Sequence, residues 1–377
     1  MYCFKKAGKT YSNFCESLLV KMLLKILQFI LLLPALCLFY LLVWPVEIDP
    51  VAWDAPIPPA MENSFAKNNF LKNVEILGLN DGIGPEDVAI DDNGNMYAGY
   101  DDGRIIKYDK TGNQIGVFVE TFGRPLGMRF DLDGNLIIAD AVRGLIKVDM
   151  QGTLTVLATE SDGIPLKFTD DLDIANDGKI YFSDASTRYG IGEDRFDLME
   201  HRPNGRLVVY DPETNKTTTL LDNLYFANGV AMSPDGTFVL FNETYMYRVQ
   251  KYWIKGEKAG TSEIVIDNLP GFPDNISSNG KGIYWIALFT VRNLLVDNTA
   301  DKPFIRKMIV RMPESMQPQP EPYGFVLGID SDGNIIYNLQ DPSQDAYSPI
   351  TSVKEKNGIL YFGSLTYPGF ARIKAPK

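Results

Sequence analysis

The chain has 377 residues, 45% of them apolar and 12% aromatic, with a formal net charge of −12. That apolar share supports a sizeable core and excludes wholesale disorder. The acidic balance excludes the basic footprint that a nucleic-acid partner requires.

The first element is ILQFILLLPALCLFYLLVW, Ile26 to Trp44, an almost wholly apolar run of about the length that spans a hydrocarbon core. Lys5, Lys6, Lys9, Lys21 and Lys25 precede it, and Glu47, Asp49 and Asp54 follow. The positive-inside rule therefore makes residues 1–25 a short cytoplasmic tail and residues 26–44 a membrane anchor. The rest of the chain then lies on the non-cytoplasmic side, whether periplasm, lumen or extracellular space. A cleaved signal peptide is the rival reading, but the run is long for one, and WPVEIDP offers no small-x-small cleavage site. Met22 as the true start would remove much of the basic flank. Cys3, Cys15 and Cys37 all precede residue 45, so the remainder forms neither a disulfide nor a thiolate metal site.

Residues 45–70 read as a tether, its Pro-rich part, Pro45 to Pro59, stiff and extended. From Leu71 onward, short apolar runs alternate with Gly, Asn and Asp. Helical patterning is confined to two inserts, roughly Ser186–Arg202 and Arg292–Met316. The runs repeat. EDVAIDDNGNMYAGYDDGRIIKYDKTGNQIGVFVE from Glu86 holds four strands, and LGMRFDLDGNLIIADAVRGLIKVDMQGTLTVLATE from Leu126 matches it. Three further units begin near Asp170, Asn228 and Asp274, and a sixth near Ile350 has room for only three strands. Four strands per unit at a period of 40 or so residues is the pattern of a β-propeller. LKNVEILGL, Leu71 to Leu79, supplies the missing outer strand and closes the ring. The expected fold is all-β: a six-bladed β-propeller over residues 71–377, its last blade closed by an N-terminal strand, behind one transmembrane helix. A β-sandwich predicts neither the repeat nor the leftover strand.

Each unit's first hairpin has a turn glycine: Gly94, Gly134, Gly178, Gly236, Gly282 and Gly358. Eight residues before each stand Glu86, Leu126, Asp170, Asn228, Asp274 and Ile350. Innermost strands run alongside the central channel, so these positions converge on its axis. Four of the six are oxygen donors, and Asn275 adds another. Three carboxylates and two amides without His or Cys are the ligand set of a hard cation, calcium before magnesium, with other divalent cations possible. Asp and Asn also initiate turns, and that reading competes at any single position.

Other motifs are weaker. DDNGN at Asp91 and DLDGN at Asp131 have the wrong spacing for EF-hands and read as Asx-rich hairpin turns. Glycosylation sequons begin at Asn215, Asn242 and Asn275, the last in conflict with a buried role. The single histidine, His201, reads as a surface-loop residue.

GPEDVAID, FTDDLDIANDGKIYFSDAS, FANGVAMSPDG and GFPDNI, with GRLVVYDP between them, resemble the strictosidine synthase-like proteins, which include an N-terminally anchored branch. More distantly the chain is similar to gluconolactonases, diisopropyl fluorophosphatase and paraoxonases, six-bladed propellers that carry a metal, usually calcium, at the top of the channel. The resemblance implies that Glu86, Asn228, Asp274 and Asn275 are metal ligands. Asp170 falls where the hydrolases generally have asparagine, making this site more negative. In the same relatives the acid matching Asp274 is the nucleophile or general base. Two departures narrow the chemistry. One histidine cannot supply the histidine pair of paraoxonases, and Thr351 occupies the position of the synthase's catalytic glutamate. The expectation is a membrane-anchored, calcium-dependent hydrolase of small-molecule esters or lactones with Asp274 as the nucleophile or general base. Its two inserts would then lie over the channel mouth as lids. The alternative is a non-catalytic, membrane-tethered scaffold or binding propeller.

Overall fold

A computed structural model describes the backbone of residues 3–377 and the side chains from residue 19 onward. Most of the predicted cytoplasmic tail thus lies outside the residues whose side chains are described, Cys3 and Cys15 included. Helix α1, Cys3–Val43, is continuous through Pro34. Its stretch Leu19–Val43 is long and apolar enough to cross a membrane, and none of it is buried against the rest of the chain. It takes in the expected run from Ile26 to Val43, and Leu19, Val20, Met22, Leu23 and Leu24 continue apolar surface ahead of that run, around Lys21 and Lys25.

Six four-stranded antiparallel sheets follow, five of them formed from consecutive strands. The sixth joins three C-terminal strands, Ser352–Lys356, Ile359–Gly363 and Phe370–Lys374, to Glu75–Leu77 from the other end of the propeller. Its pairing, Glu75 with Arg372 through Leu77 with Phe370, closes the ring, reinforced by Arg372 Nε on Glu75 Oε2 at 2.7 Å. The innermost strands touch in cyclic order around the axis, the last against the first. All six register glycines have positive φ, from 67° at Gly236 to 95° at Gly282. A side chain there is strained, so these turns hold the repeat in phase. In the turn at Asp91 the carboxylate accepts from the backbone N–H groups of Asn93 and Asn95, an Asx turn and not a calcium loop.

The strands around the axis are irregular where the site residues sit. Register breaks fall between Pro125 and Met128, Thr169 and Leu172, Ala227 and Val230, and Pro273 and Ile276. The strand expected to begin at Asp274 in fact spans Gly271–Ser278, with Asp274 and Asn275 inside its bulge. A bulge interrupts the alternation of faces and re-aims side chains, which is how a strand interior accommodates Asp and Asn.

Polar bonds join one blade to the next. Asp87 Oδ2 accepts from Met128 N at 2.8 Å, and Asp171 Oδ2 accepts from Val230 N at 3.0 Å. Thr351 Oγ1 donates to the Glu86 carbonyl at 2.9 Å across the closing seam. Lys354 Nζ, on blade 6, donates to Asp87 and to the Met128 carbonyl, drawing three blades together.

The two inserts are helical. The first carries α2, Asp194–Glu200. The second carries α3, Leu294–Asn298, whose N-cap Asn293 accepts from Leu295 N, and α4, Pro303–Arg311, begun by its proline. Residues 45–59 do not hang free. Ile48 is buried with Tyr189, Met199 and Ile309 between the inserts. Val51 N donates to Glu200 O, and Trp53 N to Ala300 O. Trp53 stacks on His201 with ring centroids 4.1 Å apart, so His201 is 2% exposed and not the surface residue its local sequence suggests.

Candidate functional site

At the insert-covered end of the channel lies a cavity of about 390 Å³, lined by Glu86, Asp170, Asn228 and Asp274. Four of the five predicted site residues, the oxygen donors of the register, therefore meet in one space. The fifth, Asn275, is also buried, and its Nδ2 donates to Glu86 Oε1 at 2.8 Å. Of the apolar register positions, Leu126 lines the cavity, whereas at the sixth it is Thr351, next to Ile350, that does so.

Three oxygens in this group are buried without a hydrogen-bond partner: Glu86 Oε2, Asn228 Oδ1 and Asn275 Oδ1. Asn242 Oδ1 is a fourth nearby, on a side chain whose Nδ2 donates to the Asp274 carbonyl. Leaving a buried acceptor unpaired costs about 1–3 kcal/mol, so four together call for a ligand that offers positive charge or protons. The carboxyl pKa values agree. Burial pushes Glu86 well above the usual range, and Asp274 and Asp170 push it further. Burial and Asp274 do the same to Asp170. Burial likewise raises Asp274, against the pull of the neighbouring Asn228 amide. An all-oxygen set of unsatisfied acceptors among mutually repelling acids fits a hard divalent cation. Among the described residues, however, no three His, Cys, Asp or Glu side chains are drawn into a ready-made metal cluster. The donors share a cavity and have not converged on a point.

Above this polar floor the walls are apolar. Phe168 packs edge-on against Phe226, and Phe226 stacks on Tyr245, at centroid distances of 5.3 and 4.5 Å. Phe272, Phe289 and Leu365 complete the lining, and Leu198, Met199 and Val296 form the roof contributed by α2 and α3. Both inserts thus cover the mouth as expected from sequence. The Arg195 Nη1–Glu314 Oε1 ion pair, 2.7 Å, joins them. The arrangement suits a molecule with one polar end and an apolar body.

Part of the aromatic wall is in register too: Phe168, Phe226 and Phe272 each stand two residues before Asp170, Asn228 and Asp274, whereas Tyr245 and Phe289 come from segments outside that count. Another signal stands one residue after the register positions: Asp87, Gly127, Asp171, Gly229, Asn275 and Thr351. The two aspartates are the blade-joining acceptors, and the glycines admit a neighbouring blade. A Cβ on Gly127 would lie 2.4 Å from Asp171 Oδ1, and one on Gly229 would lie 2.3 Å from Ile276 N. The sequons at Asn242 and Asn275 are buried, and only Asn215 is exposed.

Residues 170–257 match the strictosidine synthase family model, and residues 63–108 match the N-terminal strictosidine synthase-like model. Protein strictosidine synthase-like 3 of Arabidopsis thaliana is 36% identical over 342 residues, covering 83% of this chain and 87% of the relative. Adipocyte plasma membrane-associated protein of Mus musculus is 33% identical, covering 86% and 84% respectively. Among solved structures, a gluconolactonase from Xanthomonas campestris superposes with TM-score 0.59 at 16% identity, covering 88% of this chain and 99% of its own. A calcium-binding regucalcin from Agrobacterium tumefaciens superposes with TM-score 0.52 at 16% identity, covering 80% and 93%. At such identities the two structures speak for the propeller fold alone.

Proposed function

The chain belongs to the strictosidine synthase-like family, and on that footing we propose that it is a membrane-anchored, divalent-cation-dependent hydrolase of esters or lactones. The observation that carries this reading is the cavity floor, where unpaired buried oxygens from Glu86, Asn228 and Asn275 stand among three acids beneath an aromatic wall. Glu86, Asp170, Asn228, Asp274 and Asn275 would hold the cation, and an all-oxygen set of this kind favours calcium. When bound, such an ion supplies Lewis-acid polarisation of a substrate carbonyl.

The chain's own residues do the rest. Asp274 is the proton acceptor or nucleophile, its basicity raised by burial. Asn228 steadies the Asp274 carboxyl, while Asn275 fixes Glu86 by its 2.8 Å bond. Phe168, Phe226, Tyr245 and Phe272 hold the apolar body of the substrate, and the roof of α2 and α3 excludes water. Thr351 argues against a synthase-type condensation. Its hydroxyl is committed to the Glu86 carbonyl, and no acid stands at that position. α1 would anchor the protein as a single span with its N-terminus cytoplasmic, leaving the propeller on the opposite side.

A second reading, a propeller that binds and does not catalyse, is favoured by one observation: the acids are not gathered into a metal cluster. The two separate in one experiment on the detergent-solubilised full chain. Melting temperature and hydrolysis of phenyl acetate and a lactone panel are measured with EDTA and with calcium. The hydrolase reading expects calcium to raise both, and Asp274→Asn to lower turnover about 100-fold or more while retaining calcium-dependent stability. Stabilisation by calcium with no turnover above that of the variant would leave the binding propeller.

A further inference from the structure

A second cavity of about 490 Å³ lies where α1 ends. Tyr40, Trp44 and Val46 form one side, and Phe196, Val310 and Met312 of the inserts form the other. It is held against the anchor by Arg311, at the last turn of α4. Arg311 Nη1 donates to the Leu41 carbonyl at 2.7 Å, and its Nε donates to the Trp44 carbonyl at 2.6 Å. These carbonyls belong to the end of α1, where a cation also complements the helix dipole. Tyr and Trp at the end of an apolar span are typical of the headgroup layer. The groove therefore opens at the depth of that layer.

Three residues line both this groove and the site cavity: Arg195, Glu314 and Gln317. Two of them form the 2.7 Å ion pair that joins the inserts. The wall between the bilayer-level groove and the site is thus a partly exposed ion pair with an amide beside it, not a packed core. Exposed pairs of this kind contribute little to stability, so this one is a weak latch between the inserts.

We infer that the groove is a side entrance through which an acyl-ester amphiphile passes from the membrane's headgroup layer, between Arg195 and Glu314, into the cavity. The inference rests on the proposed hydrolase reading only for what happens once the ester arrives. The chemistry along the route is consistent. The groove presents apolar side chains to an acyl chain and the charged Arg195–Glu314 pair to a polar head. The cavity repeats the pattern, with an aromatic wall above a polar floor. Leu294, Leu295, Phe304 and Met316 are exposed on the second insert and add to its apolar surface.

The test uses the full chain in phosphatidylcholine vesicles containing a monoacylglycerol whose acyl chain carries a diazirine. After photolysis, peptide mapping locates the label. Groove residues Trp44 and Phe196 and cavity residues Phe226 and Phe272 should both be labelled. With Cys3, Cys15 and Cys37 replaced by serine, Glu314→Cys is then blocked with a bulky methanethiosulfonate. Cavity labelling should fall about tenfold while groove labelling persists, and dithiothreitol should restore it. As a second variant, Arg195→Ala should raise cavity labelling. Cavity labelling indifferent to both the block and Arg195→Ala would overturn the side entrance, as would label confined to other faces. Labelling is read without turnover, so a labelled cavity that cleaves no ester would sink the hydrolase reading alone.

Discussion

Asn275 on the fifth blade donates its amide to Glu86 on the first at 2.8 Å, bridging residues 189 apart in sequence and leaving one oxygen of each side chain buried and unpaired. The bond fixes the two groups beside each other. It also fixes Glu86 among acids, with Asp274, Asp87, Asp170 and Asp171 all raising its pKa after burial itself. In the absence of a cation this carboxylate is a burden on the fold. Glu86→Gln keeps an acceptor for Asn275 and removes the charge. With EDTA present, the variant should therefore be more stable than wild type by about 1–2 kcal/mol. Calcium should then stabilise it less than it stabilises wild type. Chemical denaturation with and without calcium checks both signs, and a variant destabilised in EDTA would contradict this account of the site.

Asp87 carries a different load. It is fully buried, accepts from Val88 N and Met128 N at 2.8 Å each, and pairs with Lys354. Asp87→Ala strands the mostly buried Lys354 ammonium and frees two backbone donors, so a loss of about 3–5 kcal/mol is expected. Lys354→Met alone leaves the carboxylate its two backbone donors and Arg129 at 4.0 Å, so it should cost less than Asp87→Ala. The double variant should lose about 2 kcal/mol less than the sum of the singles, a coupling that a double-mutant cycle measures directly. Strict additivity would show that the pair does not act as a clamp between blades.

Much of this architecture was legible because the repeat leaves its mark in turns. A positive φ at the first hairpin selects glycine six times over, and counting back from those glycines finds Glu86, Asp170, Asn228 and Asp274 without knowledge of the fold. The bulges were not legible. Asp274-Asn275 interrupts the period-2 alternation, and from sequence an interruption reads as the start of a strand, whereas the strand begins at Gly271. Contacts between distant segments were equally hidden. MEHRPNGR reads as a loop, and nothing near His201 indicates that Trp53, from the tether, will cover it. Both inserts were recognisable, but their attachment to α1 depends on Arg311 meeting carbonyls about 270 residues away.

The glycines beside the column give a steric test. A Cβ on Gly229 would stand 2.3 Å from Ile276 N and 2.6 Å from the Asp274 carbonyl oxygen, both backbone atoms that cannot swing aside. Gly229→Ala should therefore push the fourth and fifth blades apart at the site, costing about 3 kcal/mol. Gly280→Ala is the reference: no atom lies near its Cβ, so its cost reflects only the positive φ of 70°. Thermal melts should rank Gly229→Ala well below Gly280→Ala, and equal melting temperatures would remove close blade contact as the reason for glycine at 229.

His201 makes a prediction in pH. Burial first, and then the charge of Arg306, push its pKa down from 6.5 to about 3. Both ring nitrogens are buried without partners, between the rings of Trp53 and Tyr225. Between pH 3 and 6.5 the unfolded chain holds a proton on this ring that the folded chain refuses, so unfolding takes up protons and stability falls as pH is lowered. The contribution is fully present above pH 6.5. At pH 4.5, two units lower, it has shrunk by about 2–3 kcal/mol. His201→Phe keeps the stacking with Trp53 and cannot bind a proton. The variant should therefore lose less stability than wild type between pH 7 and 4.5, whatever the buried carboxylates contribute to both proteins. Because Trp53 belongs to the tether and Glu200, beside His201, bonds to it through Val51, protonation should loosen the tether before the propeller melts. Proteolysis between residues 45 and 59 should accelerate at pH 4.5 in wild type and not in His201→Phe, and equal acceleration in both would assign the acid effect to other groups.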